Sequence, residues 1–422
     1  PYIDSLLKSD VGIDYLILFA NNKELRPGGG FIGSFGVMTV KNYTIEQIKI
    51  YDVYDADGQL QAHIEPPYPI RLYLQQPNWF LRDSAFSPDF LENYAQAKTF
   101  LEREMNFTNF SGGILLTTTA IENILEAVGD VYLPDFKDTI NKKNFYLKTQ
   151  LNVEQNFFPG SLQKKNYLAS LTRQLLLQIE NIPLKKFVEL MKKSLDEKQI
   201  VIMSDEPKLQ SVLDSFYWSG RLIQPKCSIE AQNCIADFLF PYDANVGVNK
   251  ANFFVNRLFD LQISIDEEGI INHVFSIRFK NESLSDIFPG GAYRNYFQLI
   301  LPKNATVKNI TRDGVLVEGY DEQIFDQLKR IGFLVEVKPQ NSTDIVIRYE
   351  TENQIQRGRN IYQVVFQKQI GSANNEFFFK MTLPKNIQVA NQNFSPLVKD
   401  NQIIYNTSLS ADKIFLVELI KE

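Results

Sequence analysis

With 422 residues the chain exceeds one ordinary domain and suits two or three, each able to bury a core of its own. Apolar residues at 44% and charged residues at 22% exclude disorder, collagen and coiled coil as descriptions of the whole. Lys and Arg number 44 against 50 Asp and Glu, a net charge of −6 with no basic block; nucleic acid is therefore not an expected partner, because neutralising its phosphates needs clustered cations.

Residues 12–20 form a short apolar run ending in Asn21-Asn22, which predicts a buried strand and a turn. After Arg26-Pro27-Gly28-Gly29-Gly30, paired strands are predicted over residues 31–40 and 44–54, around Lys41-Asn42-Tyr43. Ser87-Pro88 predicts the start of a helix to about residue 103, with Pro fixing φ where its missing N–H costs nothing. A strand over 112–117 leads into a helix through Ile121, Ile124, Leu125 and Val128, ended by Gly129. Within residues 161–179, Leu168, Leu171, Leu175 and Ile179 line one helical face, with Lys164, Lys165 and Arg173 on the remainder. A helix from near Pro183, a strand over 199–203 and a helix over 206–216 continue the alternation. This is the pattern of an α/β fold, a mixed sheet with flanking helices.

The pattern then changes. Strand-like runs at 253–265, 270–279, 293–301, 333–337, 345–349, 362–367 and 377–383 recur with polar turns and no long helix. They predict a β-rich sandwich region, as one sandwich or two small ones. The expected division is an α/β domain over residues 1–260 and the β region over 261–422.

The two cysteines, Cys227 and Cys234, lie in a polar loop at a spacing that closes a small disulfide ring if the protein is exported. A zinc site there would need about four ligands, and His63 and His273 are both distant in sequence. No run of about 18 apolar residues crosses a membrane. The chain opens at Pro1 without an initiator methionine, so an N-terminal signal or membrane anchor preceding it is expected. The nine Asn-x-Ser/Thr triplets are read as the chance product of an asparagine-rich sequence.

Four segments carry candidate chemistry. In Arg26-Pro27-Gly28-Gly29-Gly30-Phe31, three glycines allow backbone N–H groups to approach an anion beside a planar cation, or simply connect two strands. In Asn78-Trp79-Phe80-Leu81-Arg82-Asp83, Arg82 suits phosphate and Asp83 suits Mg²⁺, or the two form a local ion pair. Asp52, Asp55 and Asp57 stand at near-alternate spacing, and a solvated turn is the favoured reading of that segment. Asn245 and Lys250, in Asp243-Ala244-Asn245-Val246-Gly247-Val248-Asn249-Lys250, either reach into a cleft or shape a turn. No Gly-x-Ser-x-Gly and no convincing triad are present, so hydrolase chemistry through Ser or Cys is not expected.

At these motifs the chain resembles an uncharacterised bacterial family, domain of unknown function 4012. The shared residues are Leu18-Phe19-Ala20-Asn21-Asn22, the stretch from Glu24 to Phe35 around Arg26, the Trp79 to Asp83 motif, and Asp243-Ala244-Asn245 with Lys250. That family looks like a distant relative of the LytR-CpsA-Psr enzymes, which transfer glycopolymers from polyprenyl-pyrophosphate carriers to the cell wall outside the cytoplasmic membrane. The resemblance implies that Arg26 and Arg82 grip the pyrophosphate and that Asp83 holds Mg²⁺; in a transferase of this kind Asp83 or Asp52 is expected to position the metal. Lys164 and Arg173 loosely match a later arginine-rich segment, and Asn245 and Lys250 complete the expected substrate contacts. Those enzymes carry an Asp shortly after the first arginine, where this chain has Gly28 to Phe31. Two functions follow as expectations. One is a Mg²⁺-dependent phosphotransferase acting on lipid-linked polysaccharide in the cell envelope, extracytoplasmic and membrane-anchored. The other is a non-catalytic cell-surface binding or structural module of the same fold.

Overall fold

The computed structural model describes residues 4, 7–150, 162–179, 181–227 and 233–422, with the side chains of 150 and 162–165 outside the described set. The chain forms two compact units, residues 1–222 with 370–372, and residues 223–369 with 373–422. The fold is a mixed α/β unit followed by a β-rich region, as the sequence pattern predicts. The units divide at residues 222 and 223, and the strand Cys234–Asn245 lies in the second.

In the first unit, β1 (Ile13–Asn21), β2 (Phe31–Lys41), β3 (Thr44–Asp52) and β4 (Gly112–Thr117) join one sheet, β5 (Val131–Leu133) and β6 (Asp138–Ile140) form a separate ribbon, and β7 (Ile200–Ser204) returns to the sheet. The sheet order is β3-β2-β1-β4-β7; β1 pairs with β4 in parallel and the other neighbours are antiparallel. The helices are α1 (Val53–Asp57), α2 (Tyr68–Tyr73), α3 (Phe90–Met105), α4 (Thr118–Val128), α5 (Phe145–Gln150), α6 (Leu162–Ile179), α7 (Leu184–Asp196) and α8 (Pro207–Ser215).

Alternation along β4 explains the layers, since successive side chains point to opposite faces. Leu115 joins a core with Phe90, Tyr94 and Phe100 of α3, while Ile114 and Leu116 pack with Ala120 of α4 and Leu195 of α7. A further apolar cluster holds Leu125 of α4, the β5–β6 ribbon and Tyr167, Leu171 and Leu175 of α6. The start of α3 departs from expectation by two residues. Asp89 is the cap, accepting from the Leu91 N–H at 2.8 Å, because the Ser87 backbone is held by the Asn93 amide through bonds of 2.9 and 2.8 Å.

The second unit consists of β8 (Cys234–Asn245), β9 (Val255–Ile265), β10 (Ile270–Asn281), β11 (Tyr293–Pro302), β12 (Ala305–Arg312), β13 (Val315–Leu316), β14 (Asp321–Phe325), β15 (Leu328–Val337), β16 (Ser342–Gln354), β17 (Gly358–Phe366), β18 (Asn375–Thr382), β19 (Ile387–Gln392), β20 (Leu397–Lys399), β21 (Gln402–Leu409) and β22 (Lys413–Lys421). One sheet runs β14-β15-β11-β8-β17-β22-β19 and the other β13-β12-β16-β10-β9-β18-β21-β20. Strands β8 to β16 make one half and β17 to β22 the other; the halves join through the parallel pairs β8–β17 and β9–β18. One apolar core, from Phe259 and Phe275 to Phe377 and Phe415, runs through both halves. Cys227 and Cys234 are disulfide-bonded. Among the described residues no helix is long and apolar enough to cross a membrane.

Candidate functional site

The glycine segment is shaped by close packing. At Gly30, with φ +152°, a Cβ would lie 2.3 Å from the Asn21 carbonyl oxygen, and at Gly28 it would strike the Asn93 side chain of α3. The Gly28 N–H donates to the Ala85 carbonyl and the Gly29 N–H to the Arg26 carbonyl, both at 3.0 Å. These two donors are therefore engaged by the chain's own backbone, and the expected anion cradle does not form from them.

This packing turns Arg26 inward, to 2% exposure. Its Nη2 lies 3.0 Å from Glu24 Oε1 and its Nε 3.3 Å from Asp83 Oδ1. Burial works against the guanidinium charge, and Glu24 and Asp83 more than restore it, holding Arg26 above its ordinary value. Asp83 sits in a 3₁₀ turn, Leu81–Asp83, pinned by the Trp79 indole N–H, which donates to the Asp83 carbonyl at 3.0 Å. Burial pushes the Asp83 carboxyl up, against the opposing pull of Arg26 and Arg82.

Arg82 faces the other side of the same carboxylate, with Nε 3.8 Å from Asp83 Oδ2. Its Nη1 donates to Asp57 Oδ2 at 2.8 Å and its Nη2 to Gln76 at 3.4 Å, while the guanidinium lies 4.1 Å from the Phe80 ring centroid. The segment read as a solvated turn is folded instead. Asp52 is buried and caps α1, its Oδ1 accepting from the Tyr54 N–H at 2.9 Å, and Asp55 returns a bond to the Asp52 N–H at 3.3 Å. Asp57, at the end of α1, is also buried; burial, only partly offset by Arg82, raises it to about 6. The Tyr54 phenol lies within electrostatic reach of Arg82, Asp57, Asp52 and Glu24, which places these groups in one neighbourhood.

Glu104 of α3 completes the cluster. It is 7% exposed, and neither carboxyl oxygen makes a hydrogen bond. Burial first, then the charge of Asp57, against the opposing pull of Arg82, pushes it to about 8. Five carboxylates thus surround two guanidiniums. Sequence reasoning missed Glu24, Asp57 and Glu104 as members, although Glu104 continues the buried stripe Phe90, Tyr94, Ala97, Leu101 of α3.

The carboxylates expected to hold Mg²⁺ are Asp83 and Asp52. The first is faced by two guanidiniums and the second caps a helix, so as arranged they do not fit a metal. Among the described residues, no three His, Cys, Asp or Glu side chains are grouped to hold one. Arg173 is exposed on α6, outside this cluster's bonding, and the Lys164 side chain lies outside the described residues.

Asn245 and Lys250 belong to the second unit. Asn245 is buried and donates to the Asn249 carbonyl at 3.1 Å and to Asn252 Oδ1 at 2.9 Å, while accepting from the Gly247 N–H at 2.9 Å. Lys250 is also buried. These residues shape a loop, the turn-forming alternative of the sequence reading. His63 is exposed beside Asn78 and Glu65. His273 is buried in the sandwich, its Nε2 lying 2.7 Å from Asp237 Oδ2 and 3.2 Å from the Tyr362 hydroxyl, with its ring stacked on Tyr349 at 4.3 Å. Burial pushes Asp237 up, but His273 and the Tyr362 hydroxyl overcome it and hold the carboxyl below its usual range.

Residues 13–151 match the model of a family described as a protein of unknown function (DUF4012). No curated protein matches the sequence. Among solved structures, the chain is similar to a putative nutrient binding protein from Legionella pneumophila at 11% identity, covering 40% of this chain and 67% of that one, with a TM-score of 0.28. An M1 zinc metallopeptidase from Deinococcus radiodurans shows 8% identity over 39% of this chain and 42% of its own, with a TM-score of 0.23. Yeast LTA4 hydrolase shows 13% identity over 39% and 29%, with a TM-score of 0.25.

Proposed function

We propose that the chain is a non-catalytic binding or structural module of the cell envelope, working outside the cytoplasmic membrane. The observation that carries this reading is the closed pairing of Arg26 with Glu24 and Asp83. A pyrophosphate site needs cations whose charge is available to the ligand. Here each guanidinium is already bonded to carboxylates, and an entering anion would meet five acidic groups for two basic ones. The Cys227–Cys234 disulfide supports an oxidising compartment. A membrane anchor and a cell-wall polymer partner belong to the same reading.

One observation favours the second reading, a Mg²⁺-dependent phosphotransferase acting on polyprenyl-pyrophosphate-linked glycopolymers in the manner of the LytR-CpsA-Psr enzymes. The Arg82 side chain keeps 17% exposure and is the most open cation of the cluster. A thermal-shift titration with a soluble polyprenyl-pyrophosphate analogue, with and without Mg²⁺, separates the two, because a ligand bound only by the native state raises stability. The binding-module reading expects no shift in the wild type or in Arg82→Ala at concentrations that shift a known transferase. A Mg²⁺-dependent shift that disappears in Arg82→Ala overturns it in favour of the transferase.

A further inference from the structure

The carbonyl end of α4 gathers cations around one carboxylate, the reverse of the Arg26 cluster. Lys142, just past β6, donates to Glu126 of α4 at 2.6 Å. Lys186 of α7 donates to the Ala127 carbonyl at 3.0 Å, at the helix end where a cation is favoured. The bond from Lys142 first, against burial, and then the charges of Lys142, Lys193 and Lys186 hold Glu126 below its ordinary carboxylate value. Three ammonium groups from two segments thus surround one carboxylate, and all four residues are exposed.

The other lysines of α7 are arranged differently. Lys185 and Lys192 form a neighbouring row, which Glu189 at 4.0 Å and Asp196 pair along the same helix. Lys186 and Lys193 leave α7 on one side, two turns and about 10 Å apart. The exposed Leu184 and Val188 lie on the opposite side of the helix from that row. Surface ion pairs contribute little to stability, so folding does not account for an excess of lysines at one point.

We infer that this cluster binds a linear polymer of phosphate groups, with Lys142, Lys186 and Lys193 as its contacts. Lysines that leave a helix two turns apart serve a chain of repeated charges better than a single anion. A bilayer is disfavoured, because no flat surface takes this row together with Leu184 and Val188 on the opposite side of α7. A protein partner wants an apolar centre to the contact, whereas the groups gathered here are charged. Ammonium groups are point charges without the planar fork of arginine, which suits tetrahedral phosphate over planar carboxylate. The inference deepens the polymer partner of the envelope-module reading and rests on that reading for where such a polymer is met.

The test measures binding of long-chain inorganic polyphosphate to the whole chain by calorimetry, beside oligothymidylate and phosphatidylglycerol vesicles. The expected result is binding that weakens steeply with salt and that orthophosphate does not displace. Lys142→Gln with Lys186→Gln and Lys193→Gln weakens it about tenfold, and Glu126→Gln, which removes the opposing charge, tightens it about threefold. All four changes are at exposed positions, circular dichroism checks the fold, and a misfolded variant does not reproduce the tightening. The proposal is overturned by no binding, by binding that the triple variant retains, or by tighter binding to oligothymidylate or vesicles. Displacement by the soluble polyprenyl-pyrophosphate analogue also overturns it, by moving the polymer to the Arg26 cluster. The two sites share no residue, so a failure here leaves the thermal-shift test of the envelope-module reading untouched.

Discussion

Both units bury ionisable groups at positions where their neighbours are apolar, and they satisfy them in different ways. In the sandwich, His273, Asp237 and Tyr362 close a triangle in which one carboxylate oxygen receives both partners. In the α/β unit, Glu24, Asp52, Asp57, Asp83 and Glu104 crowd around Arg26 and Arg82, and oxygens of Asp57 and Glu104 accept no hydrogen bond. The balanced network draws Asp237 below the ordinary range, and in the overloaded one Asp57, Asp83 and Glu104 are pushed above it. The comparison teaches that burial pushes every one of these carboxylates up, and that the direction turns downward only where the facing donors outweigh it, as His273 and Tyr362 do at Asp237.

The largest expected effect comes from removing the cation that the overloaded cluster depends on most. Arg26→Ala leaves Asp83 and Glu24 buried without their closest counter-charge, and breaking a buried pair this way costs about 3–5 kcal/mol. The loss is expected in the unfolding transition of the first unit, followed by urea titration, with the sandwich transition unmoved. A cost below about 1 kcal/mol would show that the guanidinium is not structurally committed and would reopen its role as a ligand-binding group.

Asp237→Asn ranks second, at about 3 kcal/mol, because the amide keeps an acceptor oxygen but loses the charge facing His273. It should act on the sandwich transition alone. Because Asp237 is held below its unfolded value, its contribution is full above the ordinary carboxylate range and is lost as pH falls through the lower folded value. Wild type and variant should therefore converge in acid. A gap that persists at the lowest pH would mean that packing, and not charge, carries the triangle.

Much of the architecture was legible because period and punctuation report directly on secondary structure. The 3.6-residue spacing places α4 and α6, and strand-like runs between polar turns place β9, β10 and β11. β8 lies centrally in its sheet with Pro241 inside it, a position where a proline ordinarily argues against a central strand. His273 was in plain view on the inward series Ile271, His273, Phe275, Ile277 of β10, where a polar residue must find a buried partner. The Arg26 motif is legible in the sequence, but the carboxylates that face it are not. Whether a guanidinium faces a ligand or a carboxylate 57 positions later depends on tertiary packing, which no local spacing encodes.

Glu104→Gln gives the smallest effect and the finest test of the overloaded cluster. Burial favours the protonated acid in the folded state, whose value of about 8 lies above the ordinary 4.5. Its contribution is complete below about 4.5 and is lost as pH rises through 8, where ionisation would place a second bare carboxylate beside Asp57. Glutamine has nearly the same shape and never ionises. The variant should match wild type near pH 4 and exceed it by about 1–2 kcal/mol near pH 9, after allowance for screening by nearby solvent. Thermal melts across that range read the difference in the first unit's transition. A variant less stable than wild type at pH 9 would mean that the ionised Glu104 is held by Arg82, and that this cluster is balanced in the same way as the triangle of the sandwich.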